Sequence, residues 1–196
     1  MIADAYGLPY RDTLTGFKWV SRVPNLAYGF EEALGYLVDP AKVRDKDGVS
    51  AAVELVALVA ELHAAGRTLG DQLDALAERF GAFASGQISI RVTDLADIGL
   101  ITGRLRKEPP VSLAGLAVEA VDDFRDGVDG FPPSDILRYR LAGGSRVIVR
   151  PSGTEPKLKV YLDAQAGGAT AAAARAEADA VVAALDAALR PLLTLG

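Results

Sequence analysis

Ser145-Arg146-Val147-Ile148-Val149-Arg150-Pro151-Ser152-Gly153-Thr154-Glu155-Pro156-Lys157-Leu158-Lys159-Val160-Tyr161-Leu162-Asp163 reads as two strands facing each other across a tight connection. β-Branched residues fill the first arm, Ser145 to Arg150, and apolar and polar residues alternate along the second, Lys157 to Asp163. Successive strand side chains point to opposite faces, so Leu158, Val160 and Leu162 share one face and Lys157, Lys159 and Tyr161 the other. Upstream, Leu116 to Phe124 and Ile136 to Leu141 read as further strands around a Gly127 to Pro133 loop. Downstream, Gly168 to Arg190 is an alanine-rich helix with Val181, Leu185 and Leu189 on one stripe, stopped by Pro191. Residues 110–196 are therefore expected to form a small α+β domain, an antiparallel sheet with helices on one face.

Working back towards the start, Glu108-Pro109-Pro110 stops helices and stiffens a linker, which sets the expected domain boundary at 109. Before it, residues 1–109 alternate strands and helices, as α/β layers do. Met1 to Gly7 reads as the end of a helix closed by Gly7, so the chain is expected to begin in mid-element. Thr15 to Arg22, rich in aromatic and β-branched residues, predicts a strand. Leu26 to Val38 predicts a second, interrupted at Gly29-Phe30-Glu31-Glu32-Ala33-Leu34-Gly35. Asp45-Lys46-Asp47-Gly48 leads into a helix over Val49 to Ala65, and a second helix follows over Leu69 to Phe80. Gln87 to Val92 alternates as a strand, and Asp94 to Lys107 predicts a short amphipathic helix. There are no internal repeats.

The 196 residues are half apolar, enough to bury real cores. A net charge of −5 argues against nucleic acid or anionic lipid as a partner, because such binding rests on accumulated Lys and Arg. Any anion site must be local. The chain has no cysteine, which excludes disulfides, thiolate metal sites and a cysteine nucleophile and fits a cytoplasmic setting. No export signal opens it, and Glu54 and Glu61 interrupt its most apolar helix, so no membrane role is expected.

The connection in the hairpin carries the chemistry. A phosphate dianion takes planar charged donors, hydroxyls and free backbone N–H groups, and Arg150, Ser152, Gly153, Thr154 and Lys159 offer these within one turn. Ser-Gly and Pro also serve an ordinary hairpin turn, but turn geometry does not call for three cations and two hydroxyls. The segment is neither a Walker loop nor a dinucleotide fingerprint. The ligand expected is the phosphate of a small metabolite, a phosphosugar.

Arg150-Pro151-Ser152-Gly153-Thr154-Glu155-Pro156-Lys157 closely resembles the phosphate-binding loop in the last domain of the α-D-phosphohexomutases, the phosphoglucomutase and phosphomannomutase superfamily. Thr15-Gly16-Phe17-Lys18-Trp19 and Gly29 to Gly35 resemble the sugar-facing loops of its third domain, and Asp45-Lys46-Asp47-Gly48 the stretch that follows. The resemblance covers essentially the whole chain as domains three and four of four, a truncated mixed α/β domain followed by a TBP-like α+β domain. It implies transfer of a phosphoryl group between O1 and O6 of a hexose through a bisphosphate intermediate. Thr15, Gly16, Glu31 and Glu32 would then bind the sugar, and Lys46 would act near the reacting oxygens as acid, base or charge stabiliser. Read without the resemblance, Lys46 is a solvated charge at a helix entrance, and Glu31 and Glu32 read equally as a solvated edge. Ala33 stands where many relatives have serine, a departure that resembles the branch including phosphopentomutases and some bacterial phosphomannomutases, which opens pentose as well as hexose phosphates.

The family's phosphorylated serine and its magnesium loop belong to the first two domains, and neither motif occurs here. No metal ligand is expected in this chain: Asp45 and Asp47 lack the register of an EF-hand, and His63 has no clustered partner. The chain is expected to bind sugar phosphate without turnover, as a proteolytic, engineered or internally initiated fragment missing its N-terminal domains. Two other readings are half of a split enzyme and an interaction surface.

Overall fold

The hairpin lies inside a six-stranded antiparallel sheet. Its order is β3 (Ala82–Arg91), β8 (Lys157–Ala166), β7 (Arg146–Pro151), β6 (Leu137–Leu141), β5 (Leu116–Asp123) and β4 (Ser112–Leu113). This computed structural model describes residues 1–31, 33–153 and 155–194. The predicted alternation sets the packing: Ile88, Val160, Val149 and Leu137 form one row across four strands, each at most 1% exposed. Burying each such side chain contributes roughly 1.5–3 kcal/mol. Over this face pack α5 (Leu95–Lys107), through Ile98, Ile101 and Leu105, and α6 (Ala171–Leu189), through Leu185 and Leu189. Both helices are capped by a side chain, Asp94 accepting from Ala96 N and Thr170 accepting from Ala173 N. Tyr139 is buried on the same side and donates its hydroxyl to the Leu105 carbonyl at 3.2 Å; burial pushes its phenol up to about 12.

A second contact brings α6 unusually close to the sheet. Ala171, Ala174 and Ala178 pack against Ala77 and Ala82, so small side chains meet small side chains. Gly168 belongs to the same contact, since a Cβ there would lie 2.6 Å from the Ala174 nitrogen.

The chain divides into two compact units, Met1–Leu73 and Asp74–Gly196, with the divide inside α4 (Leu69–Phe80). The boundary expected at Pro109 is therefore corrected. β3 and α5 precede that proline yet belong to the second unit, because β3 pairs with β8 at ten successive positions, from Ala82 opposite Ala166 to Arg91 opposite Lys157. A proline pair marks where a helix stops, and that need not be where a domain stops.

Unit one holds α1 (Ile2–Ala5), α2 (Phe17–Val20), the short ribbon β1 (Gly29–Glu31) and β2 (Gly35–Leu37), and α3 (Gly48–Ala64). The strand expected over Thr15 to Arg22 is instead one helical turn. Phe17 and Val20, three residues apart, are both buried there against Leu37, so the apolar composition reflects burial and not extension. The single strand expected over Leu26 to Val38 is a hairpin that reverses near Leu34, whose φ is +57°.

Helix α3 is apolar almost all round, a pattern that normally marks a buried helix. Here only Leu62 is buried, while Val49, Val53 and Val56 are 78%, 63% and 68% exposed. Among the described residues no single helix is long and apolar enough to cross a membrane; only α3 and α4 taken together across their break reach that length and composition.

Two outcomes follow from this packing. Gly168→Ala will lower the urea unfolding free energy by about 1–3 kcal/mol, because the new methyl meets backbone and not a yielding side chain. The bare α3 will make the chain associate as concentration rises in size-exclusion chromatography, and Val53→Glu with Val56→Glu will suppress this.

Candidate functional site

In the second unit the site is built on the sheet face opposite the helices. The register of β7 and β8 sets Arg150 directly opposite Lys159, and Lys159 in turn opposite Ser89 on β3. The connection is tied at three backbone points. Ser152 N donates to Lys157 O at 2.8 Å, Lys157 N to Glu155 O at 2.7 Å, and Val92 N to Pro156 O at 3.0 Å. Gly153 occupies open space: a Cβ added there would meet no atom within 4 Å, so the packing of this chain does not call for glycine at that position. A close approach by a ligand would. Thr154 lies outside the described residues.

The charges on this face fall into two groups. Arg138 and Arg140 pair with Asp122 at 2.8 and 3.3 Å, Arg146 with Asp163 at 2.6 Å, and Lys157 with Glu155 at 2.8 Å, with Arg91 also 3.8 Å from Glu155. Arg150 and Lys159 have no carboxylate partner among the described residues, although like charges placed opposite each other repel. Arg150 donates through Nη2 to the Tyr161 hydroxyl at 3.1 Å, its guanidinium carbon lies 5.5 Å from the centre of that ring, and its Nε is buried without a partner. Lys157, expected as a third free cation, is instead held by Glu155. The hydrogen bond from Lys157, then the Lys157 charge, with smaller pulls from Arg91 and Lys159, keeps the Glu155 carboxyl below the usual carboxylate range.

In the first unit the ribbon and the entry to α3 bring two of the predicted residues together. Lys46 forms an ion pair with Glu31, donates to the Ala33 carbonyl at 3.1 Å and lies 5.8 Å from the centre of the Phe17 ring. Gly35 makes room for this. It faces Glu31 across the ribbon, and a Cβ on it would come within 2.4 Å of the Glu31 Cγ and 2.8 Å of Phe17. Asp45 accepts from the Lys46 backbone at 2.7 Å. Asp47 caps α3, and the Ser50 hydroxyl holds its carboxyl low. Among the described residues no three His, Asp or Glu side chains are grouped to hold a metal ion. Gly16, with φ +115°, opens α2 in a conformation suited to glycine, and Thr15 beside it is exposed. Glu32 lies outside the described residues.

The sequence reading did not single out Tyr161 or Ser89 as site residues. The position of Tyr161 on the Lys159 face was legible from the alternation, but the pairing of β3 with β8 was not.

Two family models match this chain. Residues 1–80 match the phosphoglucomutase/phosphomannomutase alpha/beta/alpha domain III, and residues 88–182 match the phosphoglucomutase/phosphomannomutase C-terminal domain. A probable phosphomannomutase of Haemophilus influenzae is 48% identical over 192 residues, which are 98% of this chain and 38% of that protein. A phosphoglucomutase of Staphylococcus epidermidis is 30% identical over 182 residues, 82% of this chain and 33% of that protein. The open form of pp63/parafusin, a phosphoglucomutase from Paramecium, shares the fold with a TM-score of 0.65 at 18% identity, over 96% of this chain and 35% of the other. The chain thus spans about a third of the length of the relatives it matches.

The depressed Glu155 carboxyl contributes stability above the ordinary carboxylate range, and that contribution is lost as pH falls through the lowered value. Carboxyl NMR will place its midpoint below the usual 4.5, and Lys157→Met will move it back up.

Proposed function

Because the chain belongs to the phosphoglucomutase/phosphomannomutase family, with its domain III and its C-terminal domain present in order, we propose that it supplies the sugar-facing and phosphate-binding parts of a phosphohexomutase. The observation that carries this reading is the pair Arg150 and Lys159. These two cations are set opposite each other without a carboxylate, on a face where the neighbouring cations have one. A dianion between them removes their mutual repulsion and forms charge-assisted hydrogen bonds with both. Ser152 adds a hydroxyl, the open space at Gly153 admits the ligand to the backbone, and Thr154 completes the loop.

On the first unit, Glu31 with Glu32, Thr15 and Gly16 receives the sugar. The Glu31 carboxylate exchanges its Lys46 partner for ring hydroxyls, and Lys46 is then the cation available to the reacting oxygens. The parent reaction moves a phosphoryl group between O1 and O6 of a hexose. By the family resemblance, the magnesium ion that neutralises charge in the whole enzyme would be held by its N-terminal domains; among the described residues of this chain no three His, Asp or Glu side chains are grouped to hold one. Phosphoryl transfer depends on positioning and on charge neutralisation around the moving group, so a phosphate cradle without the phosphorylated serine has no turnover. Ala33, in place of the serine of many relatives, supports a second reading in which the sugar is a pentose phosphate.

Titration of the chain with glucose 1-phosphate, mannose 1-phosphate and ribose 5-phosphate, followed by NMR, is expected to shift the Arg150 and Lys159 signals. Arg150→Ala and Lys159→Ala are each expected to weaken binding by about tenfold or more. Unmoved signals with all three ligands would overturn the site. The chain alone is expected to show no mutase activity; activity restored by adding the N-terminal domains as a separate chain would make it half of a split enzyme.

A further inference from the structure

Tyr161 stands two residues from Lys159 on β8, on the same sheet face and diagonal to Arg150 on β7. Diagonal neighbours across a strand pair lie about 7–8 Å apart, within reach of an aromatic ring and an arginine. The contact is made twice over: the phenol oxygen accepts from Arg150 Nη2 at 3.1 Å, and the guanidinium carbon lies 5.5 Å from the ring centre. Arg150 has no acid among the described residues to hold it, and repulsion from Lys159 directly opposite favours rotamers that carry the two charges apart. A flexible arginine that must be ordered at binding gives a weaker site than one already in place.

We propose that Tyr161 is a positioning residue of the anion site, its hydroxyl and ring holding the Arg150 guanidinium on the Lys159 side so that both cations reach one phosphate group. The proposal rests on the phosphate reading of the hairpin. A neutral phenol suits this task because it holds the guanidinium without cancelling its charge. An aspartate in the same place would compete with the ligand. The Arg150 Nε, buried without a partner, belongs to the same fixed arrangement.

Inorganic phosphate and glucose 6-phosphate are titrated by calorimetry into the 196-residue chain and into Tyr161→Phe, Arg150→Ala and the double variant, with the melting temperature of each recorded. Tyr161→Phe keeps the ring and removes the acceptor. It is expected to weaken phosphate binding about fivefold to tenfold, with a melting temperature within about 2 °C of the parent and no further loss in the Arg150→Ala background. In the absence of ligand, the Arg150 side-chain Nε–H signal, slow to exchange in the parent, is expected to exchange faster in Tyr161→Phe. If Arg150→Ala loses binding while Tyr161→Phe binds and exchanges as the parent does, the positioning role is wrong and the phosphate site stands. An equal loss from Tyr161→Phe with and without Arg150 overturns the positioning role as well. If Arg150→Ala binds as the parent does, the phosphate reading itself has failed.

Discussion

The register of β7 against β8 is the constraint from which the second unit follows. Side chains alternate along a strand, so one register sets both faces at once: Val149 and Val160 meet in the core, and one residue away Arg150 and Lys159 meet on the open face. A slip of one residue would turn the apolar set outwards and carry the two cations towards the helices, at a cost the core does not allow. The register is held from both sides, by the Ser152 to Lys157 backbone bond at the turn and by the long pairing of β8 with β3. The core and the placement of Arg150 opposite Lys159 therefore have a common origin in this one register.

Electrostatics on the open face shows how a chain of net charge −5 can present a place for an anion. Aspartates and a glutamate pair off Arg138, Arg140, Arg146 and Lys157, which leaves no broad positive field. Among the described residues of this face, Arg150 and Lys159 are left without a carboxylate in an ion pair. Exposed charges are screened over roughly 8 Å at physiological salt, so this local imbalance matters to a ligand while the total charge does not.

The first unit poses a different physical problem. Its small core of Phe17, Val20 and Leu37 fixes the ribbon and with it the meeting of Glu31 and Lys46, yet α3 leaves most of its apolar surface in water. The domain it matches is described as alpha/beta/alpha, an architecture that covers such a helix with a sheet, and the described strands of this unit are two of three residues each. The loops that carry Thr15, Gly16, Glu31 and Lys46 are formed locally, by turns, caps and glycine-dependent close contacts. That is why they can be ordered on a unit whose largest helix has little to pack against.

The sequence by itself determined whatever depends on neighbours along the chain. The α4 limits, the alternation of Leu158 to Leu162 and the collection of donors around Gly153 were all legible, because turns and strand faces are set within a few residues. The helical turn at Phe17 was misread because aromatic and β-branched composition signals burial in either kind of element. The domain limit was misplaced because no local signal tells that Ala82 to Arg91 will pair with a strand some seventy-five residues later in the chain. Only the tertiary structure decided which cations are already spoken for. Lys157 belongs to Glu155, Lys46 to Glu31, and Arg150 leans on Tyr161, since an ion pair depends on distance through space and on the rotamer each side chain can reach.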